Sequence, residues 1–350
     1  MVGDKEEQLR KDMLDKFNRR LAIIIVNFRT ADLVCDCLHS LSPEVKAAHD
    51  QVIVVDNNSE DGSVERLSAV IEEQEWEQWA TVLPQDSNLG FAAGNNIAIR
   101  IFLAQETPPD YVLLLNPDTV VQGGTVKKLI RFLDEHPEAG IVGAQLENED
   151  HVPQSSARRY PSVWSEFESG ARLGVLSRLL KNFRVSLPMT NHASRCDWVS
   201  GAAMLIRRQV FDDIGLMDEG FFLYFEELDF CHRTHSAGWQ IWLEPAARVT
   251  HLEGRATGIQ QARKRRGQYW YDSRRRYFIK HLGMLRWILA DFLWSLGRLS
   301  LLLRTWLNLG GDISGDPLYY VRDLVWGDFY AFLKGDAQRV SVAKHLQRYS

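Results

Sequence analysis

Residues 21–30 read LAIIIVNFRT, six apolar and mostly β-branched residues closed by Asn27. A run that short, bounded by polar residues, is a strand buried on both faces rather than a helix. Similar runs recur at 51–55 (QVIVV, followed by Asp56-Asn57-Asn58-Ser59), 80–83, 111–115 (YVLLL, followed by Asn116-Pro117-Asp118) and 140–142. Helical patterns separate them, at 31–41, from Val64, at 91–104 and at 125–135. Apolar strands alternating with helices predict an α/β fold, a mostly parallel sheet flanked by helices. In such sheets ligands bind beyond the carboxyl ends of the strands, and that is where the polar clusters of this chain stand.

The second half is less regular. Residues 151–194 are loop-rich, with Pro153, Pro161 and Pro188; 198–206 reads as one strand, and a helix is expected from near Glu226. Between Arg263 and Arg276 stand seven basic residues and one acid, Asp272. Such a block is either a solvated helix face or a patch for an anionic partner, phosphate or a membrane surface. Residues 282–309 are rich in Leu and Trp but interrupted by Arg286, Asp291, Arg298 and Arg304. That pattern disfavours a membrane-spanning helix and leaves two readings, a helix lying on a membrane or one packed under the domain.

The bulk properties narrow the function. A chain of 350 residues, 45% hydrophobic and 25% charged, is an ordinary globular protein, and its net charge of −5 argues against general nucleic-acid binding. Cys35, Cys37, Cys196 and Cys231 form no CxxC pair, which argues against a disulfide framework or zinc site and fits a reducing cytosol. The charged N-terminus has no apolar core of a signal peptide. Neither GxGxxG after the first strand nor GxxxxGK[ST] occurs, so a nucleotide would be held by side chains and a metal rather than by a glycine-rich cradle.

Three signals carry chemistry. Asp118, directly after a buried strand, is placed to ligate a hard divalent cation, although Asn-Pro-Asp is also good turn chemistry. Phe221-Phe222-Leu223-Tyr224-Phe225-Glu226-Glu227-Leu228-Asp229 sets three carboxylates among aromatics. A carboxylate there has a raised pKa and can accept a proton, while acids in a first helical turn also simply favour the helix dipole. His251 follows a short strand and is a possible further metal ligand.

Taken in order, IIIVNFRT, VIVVDNNSEDGS, NLGFAAGNN, LLLNPDT, WVSGAAMLIRR, FFLYFEELDFCHR and VTHLEG resemble the family-2 glycosyltransferases of the GT-A (Rossmann-like) fold, across about residues 20–255. The resemblance implies a charged extension at 1–19, a glycosyltransferase domain at 20–255 (nucleotide-binding half 20–143, acceptor half 144–255) and a basic, helical C-terminal region at 256–350. It implies that Asn27, Asp56 and Asn58 contact the nucleoside, and that Asn116 and Asp118 stand at the family's D-x-D metal motif, Asn116 replacing its first acid. The Mg²⁺ or Mn²⁺ would then rest on Asp118 and His251, with Asn116 beside them. Glu226-Glu227 stands where the family usually has Glu-Asp, so Glu227 is the expected base, with Glu226 as the fallback. Trp198, Ser200 and Gly201 would line the junction with the acceptor, and Arg158 and Arg159 would meet diphosphate or acceptor.

Residues 271–281 (YDSRRRYFIKH) further resemble bacterial rhamnosyltransferase-like members, which build O-antigens and other surface polysaccharides from dTDP-rhamnose. The expected partners are therefore a nucleotide-sugar donor and a lipid-linked saccharide acceptor, met at the inner membrane face by a cytoplasmic or peripheral protein, and no nucleic acid. Two other readings stay open: a sugar nucleotidyltransferase, and a non-catalytic saccharide-binding protein on the same scaffold.

Overall fold

The computed structural model describes residues 20–46, 48–252 and 264–333. The expected extension at 1–19 and Arg263 of the basic block lie outside them. Strands β1 (Leu21–Asn27), β2 (Gln51–Asp56), β3 (Ala80–Pro84) and β4 (Tyr111–Leu115) pair in parallel in the order β3-β2-β1-β4. Beyond β4 the sheet continues through β10 (Ala203–Arg207), β6 (Ala139–Glu147), β11 (Gln240–His251) and β5 (Thr119–Val121). The mixed α/β architecture with its central, mostly parallel sheet is the one the apolar runs imply.

Alternation along β1 explains why its sequence is apolar throughout. Ile23 and Ile25 face one layer with Leu38, Leu129 and Phe132, from helices α1 (Ala31–Leu41) and α4 (Thr125–Glu135). Ala22 and Ile24 face the other layer, with Ile99 and Phe102 of α3 (Phe91–Leu103). Successive side chains leave a strand on opposite faces, so a central strand covered on both sides, as β1 is, stays apolar until it ends.

The segment at 198–206 is not one strand. β9 (Trp198–Val199) pairs with β7 (Ala157–Arg158), a turn follows at Ser200–Ala202, and β10 then enters the main sheet antiparallel to both β4 and β6. Helix α8 (Glu226–Ser236) begins where the sequence places it. No helix among the described residues is long and apolar enough to cross a membrane.

The basic block requires a correction. Among the described residues, its arginines form neither a solvated face nor an anion-binding patch, because most of them are consumed inside the molecule. In α9 (Gln268–Leu282) Arg274 is buried and meets Glu166 at 2.7 Å and Asp291 at 2.6 Å, with Asp328 at 3.8 Å. Arg275, also buried, meets Asp272 at 2.5 Å and Asp328 at 2.7 Å, and Arg276 meets Asp218 at 2.9 Å. Arg265 pairs with Asp323, and Arg266 lies 4.2 Å over the ring of Trp270. The Asp and Glu partners lie up to 108 residues away, so the local sequence shows the cations and hides the anions of Arg265, Arg274, Arg275 and Arg276. These pairs join α9 to α5 (Val163–Ala171), α10 (Met284–Trp306) and α11 (Tyr320–Leu333). One face of α10 packs on α5 through Gly297, where a methyl group would come within 2.7 Å of the Ala171 nitrogen.

Removing one member of a buried ion cluster strands the others without a counter-charge. Arg274→Ala is therefore expected to lower unfolding free energy by about 3–5 kcal/mol, read from urea denaturation. A loss below about 1 kcal/mol would mean that the cluster behaves as if solvated.

Candidate functional site

The polar cluster begins where β1 and β2 end side by side, with Asn27 and Asp56 in register. Asn27 Nδ2 donates to Asp56 Oδ2 at 2.6 Å, Ser59 Oγ donates to the same oxygen at 2.6 Å, and the Ser59 amide donates to Asp56 Oδ1 at 3.0 Å. Both carboxylate oxygens of Asp56 thus bind their own loop. This fixes Asn58, half-buried, in a left-handed conformation at φ 58°. Ser59, which the sequence reading passed over, also accepts from the Arg29 amide at 2.9 Å. Its position three residues after an Asp was the available signal, since short hydroxyl side chains cap such turns. A cleft of about 390 Å³, lined in part by Arg29, Thr30, Asp61, Gly62 and Arg66, opens beside this loop.

The second group gathers at the end of β4. Strand β5 runs antiparallel to β11 and pairs Thr119 with His251, which brings Asp118 beside the imidazole. His251 Nε2 lies 3.3 Å from Asp118 Oδ1 and 3.3 Å from Asn116 Nδ2. His251 Nδ1 is buried with no hydrogen-bond partner among the described residues. Thus Asn116, Asp118 and His251 do converge, although 135 residues separate the first from the last. A carboxylate and an imidazole this close suit a divalent cation. Among the described residues no group of three His, Cys, Asp or Glu side chains surrounds one point. Mg²⁺ commonly takes only one or two protein carboxylates and completes its shell with water and phosphate oxygens, so the donor set fits.

The third group is built around residues 221–227. Gly90, at φ 88°, has no room for a side chain: a methyl there would lie 2.1 Å from the Phe222 carbonyl oxygen, which instead accepts from the Phe91 amide at 2.8 Å. Tyr224 and Phe225 follow in left-handed conformations, at φ 69° and 71°. Their rings rest on α9, Tyr224 on Tyr269 at 6.2 Å and Phe225 on Trp270 and Tyr277 at 5.7 and 6.0 Å. This strained bend launches α8, with Glu226 buried and Glu227 half-buried.

Gly201 joins this group to the end of β4. A methyl on Gly201 would lie 3.5 Å from Glu227 Cβ and 3.6 Å from the Phe91 ring, while the next carbonyl, of Ala202, accepts from the Asn116 amide at 3.1 Å. Ser200 Oγ closes the turn by accepting from the Ala202 amide at 3.3 Å. The guanidinium of Arg158 lies 4.8 Å over the Trp198 ring and acts electrostatically on Glu227. Arg159 turns the other way, donating to the Arg184 carbonyl at 3.2 Å.

The carboxylates differ in kind. Burial raises Glu226 well above the usual carboxylate range, and the neighbouring charge of Glu227 adds to this. Burial also raises Glu227, opposed by backbone amides and by Arg158. Asp229 is buried too, yet His281 at 2.7 Å, Lys280 at 2.7 Å and Arg233 at 2.9 Å hold it below the ordinary value. It is a fixed anion anchoring α9 to α8. Between them His232 stacks on His281 at 4.0 Å and on Tyr160 at 4.3 Å, and burial pushes it down to about 4, so it is neutral at physiological pH.

A family model described as glycosyltransferase like family 2 matches residues 18–270. The N-acetylglucosaminyl-diphospho-decaprenol L-rhamnosyltransferase of Mycobacterium tuberculosis is 28% identical over 226 residues, 59% of this chain and 68% of that protein. Rhamnosyltransferase WbbL of Escherichia coli K12 is 28% identical over 167 residues, 46% of this chain and 60% of that one. Two solved structures show the same fold at low identity. They are Staphylococcus aureus TarS 1-349 (TM-score 0.51, 15% identical, 91% of this chain and 82% of that one) and the mannosyltransferase PcManGT of Pyrobaculum calidifontis, solved with GDP-Man and Mn²⁺ (TM-score 0.51, 13%, 91% and 83%). The architecture is therefore that of the GT-A glycosyltransferases.

The raised pKa of Glu226 has a measurable sign. Below the unfolded-state pKa of about 4.3 the residue is neutral in both states and costs nothing electrostatically. As pH rises toward its folded pKa, the unfolded chain loses the proton first and stability falls. Glu226→Gln should therefore resist urea better than the parent at pH 8, by roughly 1–3 kcal/mol, with the difference shrinking toward pH 4. A variant less stable than the parent at pH 8 would show that the carboxylate is ionised and satisfied.

Proposed function

The chain belongs to the glycosyltransferase-like family 2, and on that premise we propose that it is an inverting, metal-dependent transferase that moves a sugar from a nucleotide donor to a saccharide hydroxyl. The observation that carries this reading is the Ser200–Ala202 turn, where a methyl on Gly201 would just reach Glu227 and the Ala202 carbonyl accepts from the Asn116 amide. A proton acceptor and a cation site thereby flank one position. Asn27, Asp56 and Asn58 form the nucleoside end of the donor site. Trp198, Ser200 and Gly201 form its boundary with the acceptor.

Asp118 and His251, with Asn116 beside them, would hold Mg²⁺ or Mn²⁺, which when bound neutralises charge on the diphosphate. Glu227 takes the proton of the acceptor hydroxyl as that oxygen bonds to the anomeric carbon. The bond to the diphosphate oxygen breaks on the opposite face, so the configuration inverts. Arg158, stacked on Trp198, opposes the effect of burial on Glu227 and so favours its ionised, proton-accepting form. Glu226, more deeply buried and more strongly raised, is the neutral neighbour rather than the base.

The finer assignment follows the relatives. Two proteins named as rhamnosyltransferases align with this chain, one of them named for a decaprenol-diphosphate acceptor. We take the donor to be dTDP-rhamnose and the acceptor a lipid-linked saccharide of cell-surface polysaccharide synthesis. It would be met at the inner membrane face by a peripheral cytoplasmic enzyme.

Nucleoside diphosphate release from a panel of dTDP-, UDP- and GDP-sugars, with Mn²⁺ or Mg²⁺ and with EDTA, tests the reading. Release from one donor, abolished by EDTA and by Asp118→Ala, is expected. Glu227→Gln should lower turnover by roughly 10²–10⁴-fold with donor affinity within about twofold of the parent. Near-normal turnover in that variant would remove Glu227 from the mechanism. The absence of both release and metal-dependent donor binding across the panel would favour a non-catalytic saccharide-binding protein.

A further inference from the structure

Helix α10 is inverted. Its buried stripe contains Trp287, Ala290, Trp294, Gly297, Arg298 and Leu301. Three of its four charged groups turn inward, Asp291 to Arg274, Arg298 to Asp316 and Arg304 to the Ala171 carbonyl, while Arg286 near its start is exposed. The opposite stripe, at the spacing of one helical face, exposes Leu285, Leu289, Phe292, Leu296, Leu299 and Leu303. Leu285 is 79% exposed, and Trp306 at the far end 78%. Helix α11 repeats the pattern, turning Asp323 and Asp328 toward arginines and exposing Trp326, Phe329, Tyr330 and Leu333. Isolated exposed apolar residues need no explanation, but contiguous faces of this size mark an interaction surface.

A second feature identifies the partner. From Ser169 to Cys196 the chain carries five arginines and lysines and no acid, within a protein of net charge −5. Here helix α6 (Gly174–Leu179) and the 3₁₀ turn Lys181–Phe183 expose Val175, Leu179 and Phe183 beside exposed Arg178 and Lys181. Neither Arg178 nor Lys181 has an ion-pair partner among the described residues. The segment is tied to the loop that follows α10, since Arg172 donates to the Asp312 carbonyl at 3.1 Å and to Asp316 at 2.8 Å.

We propose that the outer faces of α10 and α11, with the basic segment at 172–184, form a docking surface for an anionic phospholipid bilayer, seated at the interface without spanning it. Apolar side chains enter the acyl boundary, Trp306, Trp326 and Tyr330 take the headgroup level that such amphipathic rings prefer, and the cations meet lipid phosphates. A second copy of the chain would cover the apolar faces but leave the uncompensated cations unanswered; a bilayer satisfies both. The surface depends on the proposed lipid-linked acceptor only for its purpose, and vesicle binding is read without any transfer reaction. Through α9, where Ser273 donates to the Leu223 carbonyl at 3.2 Å, the docked helices adjoin the loop that carries Glu226 and Glu227.

The test is flotation of the full chain with vesicles of phosphatidylglycerol and phosphatidylethanolamine, and with pure phosphatidylcholine, at low and high salt. The parent should float with the anionic vesicles and bind the neutral ones at least tenfold more weakly. Combined Leu296→Ser, Leu299→Ser and Leu303→Ser should cut binding at least tenfold with an unchanged thermal midpoint, because those side chains are exposed. Combined Arg178→Glu and Lys181→Glu should weaken anionic binding and erase its salt dependence. No flotation with either vesicle, or undiminished flotation of the leucine variant, overturns the proposal. So does a stable dimer in sedimentation that the leucine variant converts to monomer, which would assign the face to a second copy.

Discussion

The site depends on one antiparallel strand. β10 runs between β4 and β6 against the direction of both, so its first residue, Ala203, pairs with Leu115, the last residue of β4. A parallel strand in that place would deliver its beginning to the far edge of the sheet. The reversed one delivers the turn before it, Ser200–Ala202, to the carboxyl ends, where Asn116, Asp118 and the Asp56 loop already are. Every polar group of the site then reaches one edge, though the residues come from positions 27 to 251.

Much of this edge was legible in the sequence because buried strands are apolar until they end. Asn27, Asp56 and Asn116-Pro117-Asp118 are conspicuous as the first polar residues after LAIIIV, QVIVV and YVLLL. Helix α8 was legible because its acids crowd the first turn. What stayed hidden was long-range pairing. The division of 198–206 into two strands follows their partners, Ala157–Arg158 for the first and β4 and β6 for the second, a pairing that no local pattern encodes. The arginines of α9 were misread for the same reason: charge read locally counts cations, and Glu166, Asp218, Asp291 and Asp328 neutralise them from elsewhere.

The three carboxylates of α8 show how one helical turn supports different chemistry. Asp229 is surrounded by cations and stays charged, so it serves as a structural anchor. Glu226 has no such company and resists ionisation. Glu227 lies between these extremes, half-buried beside Gly201 and within the field of Arg158. Environment rather than residue type separates the three.

Tyr224 and Phe225 occupy backbone conformations in which glycine would be free of strain, yet the chain keeps two large rings there. A non-glycine residue in this region costs of order 1 kcal/mol or more, so the rings, not the bend alone, account for these residues. Lodged against Tyr269, Trp270 and Tyr277, they pin the start of α8 to α9. The two glutamates therefore leave a bend whose outer surface is not solvent but the side of another helix, so the placement of α8 and that of α9 are a single packing problem.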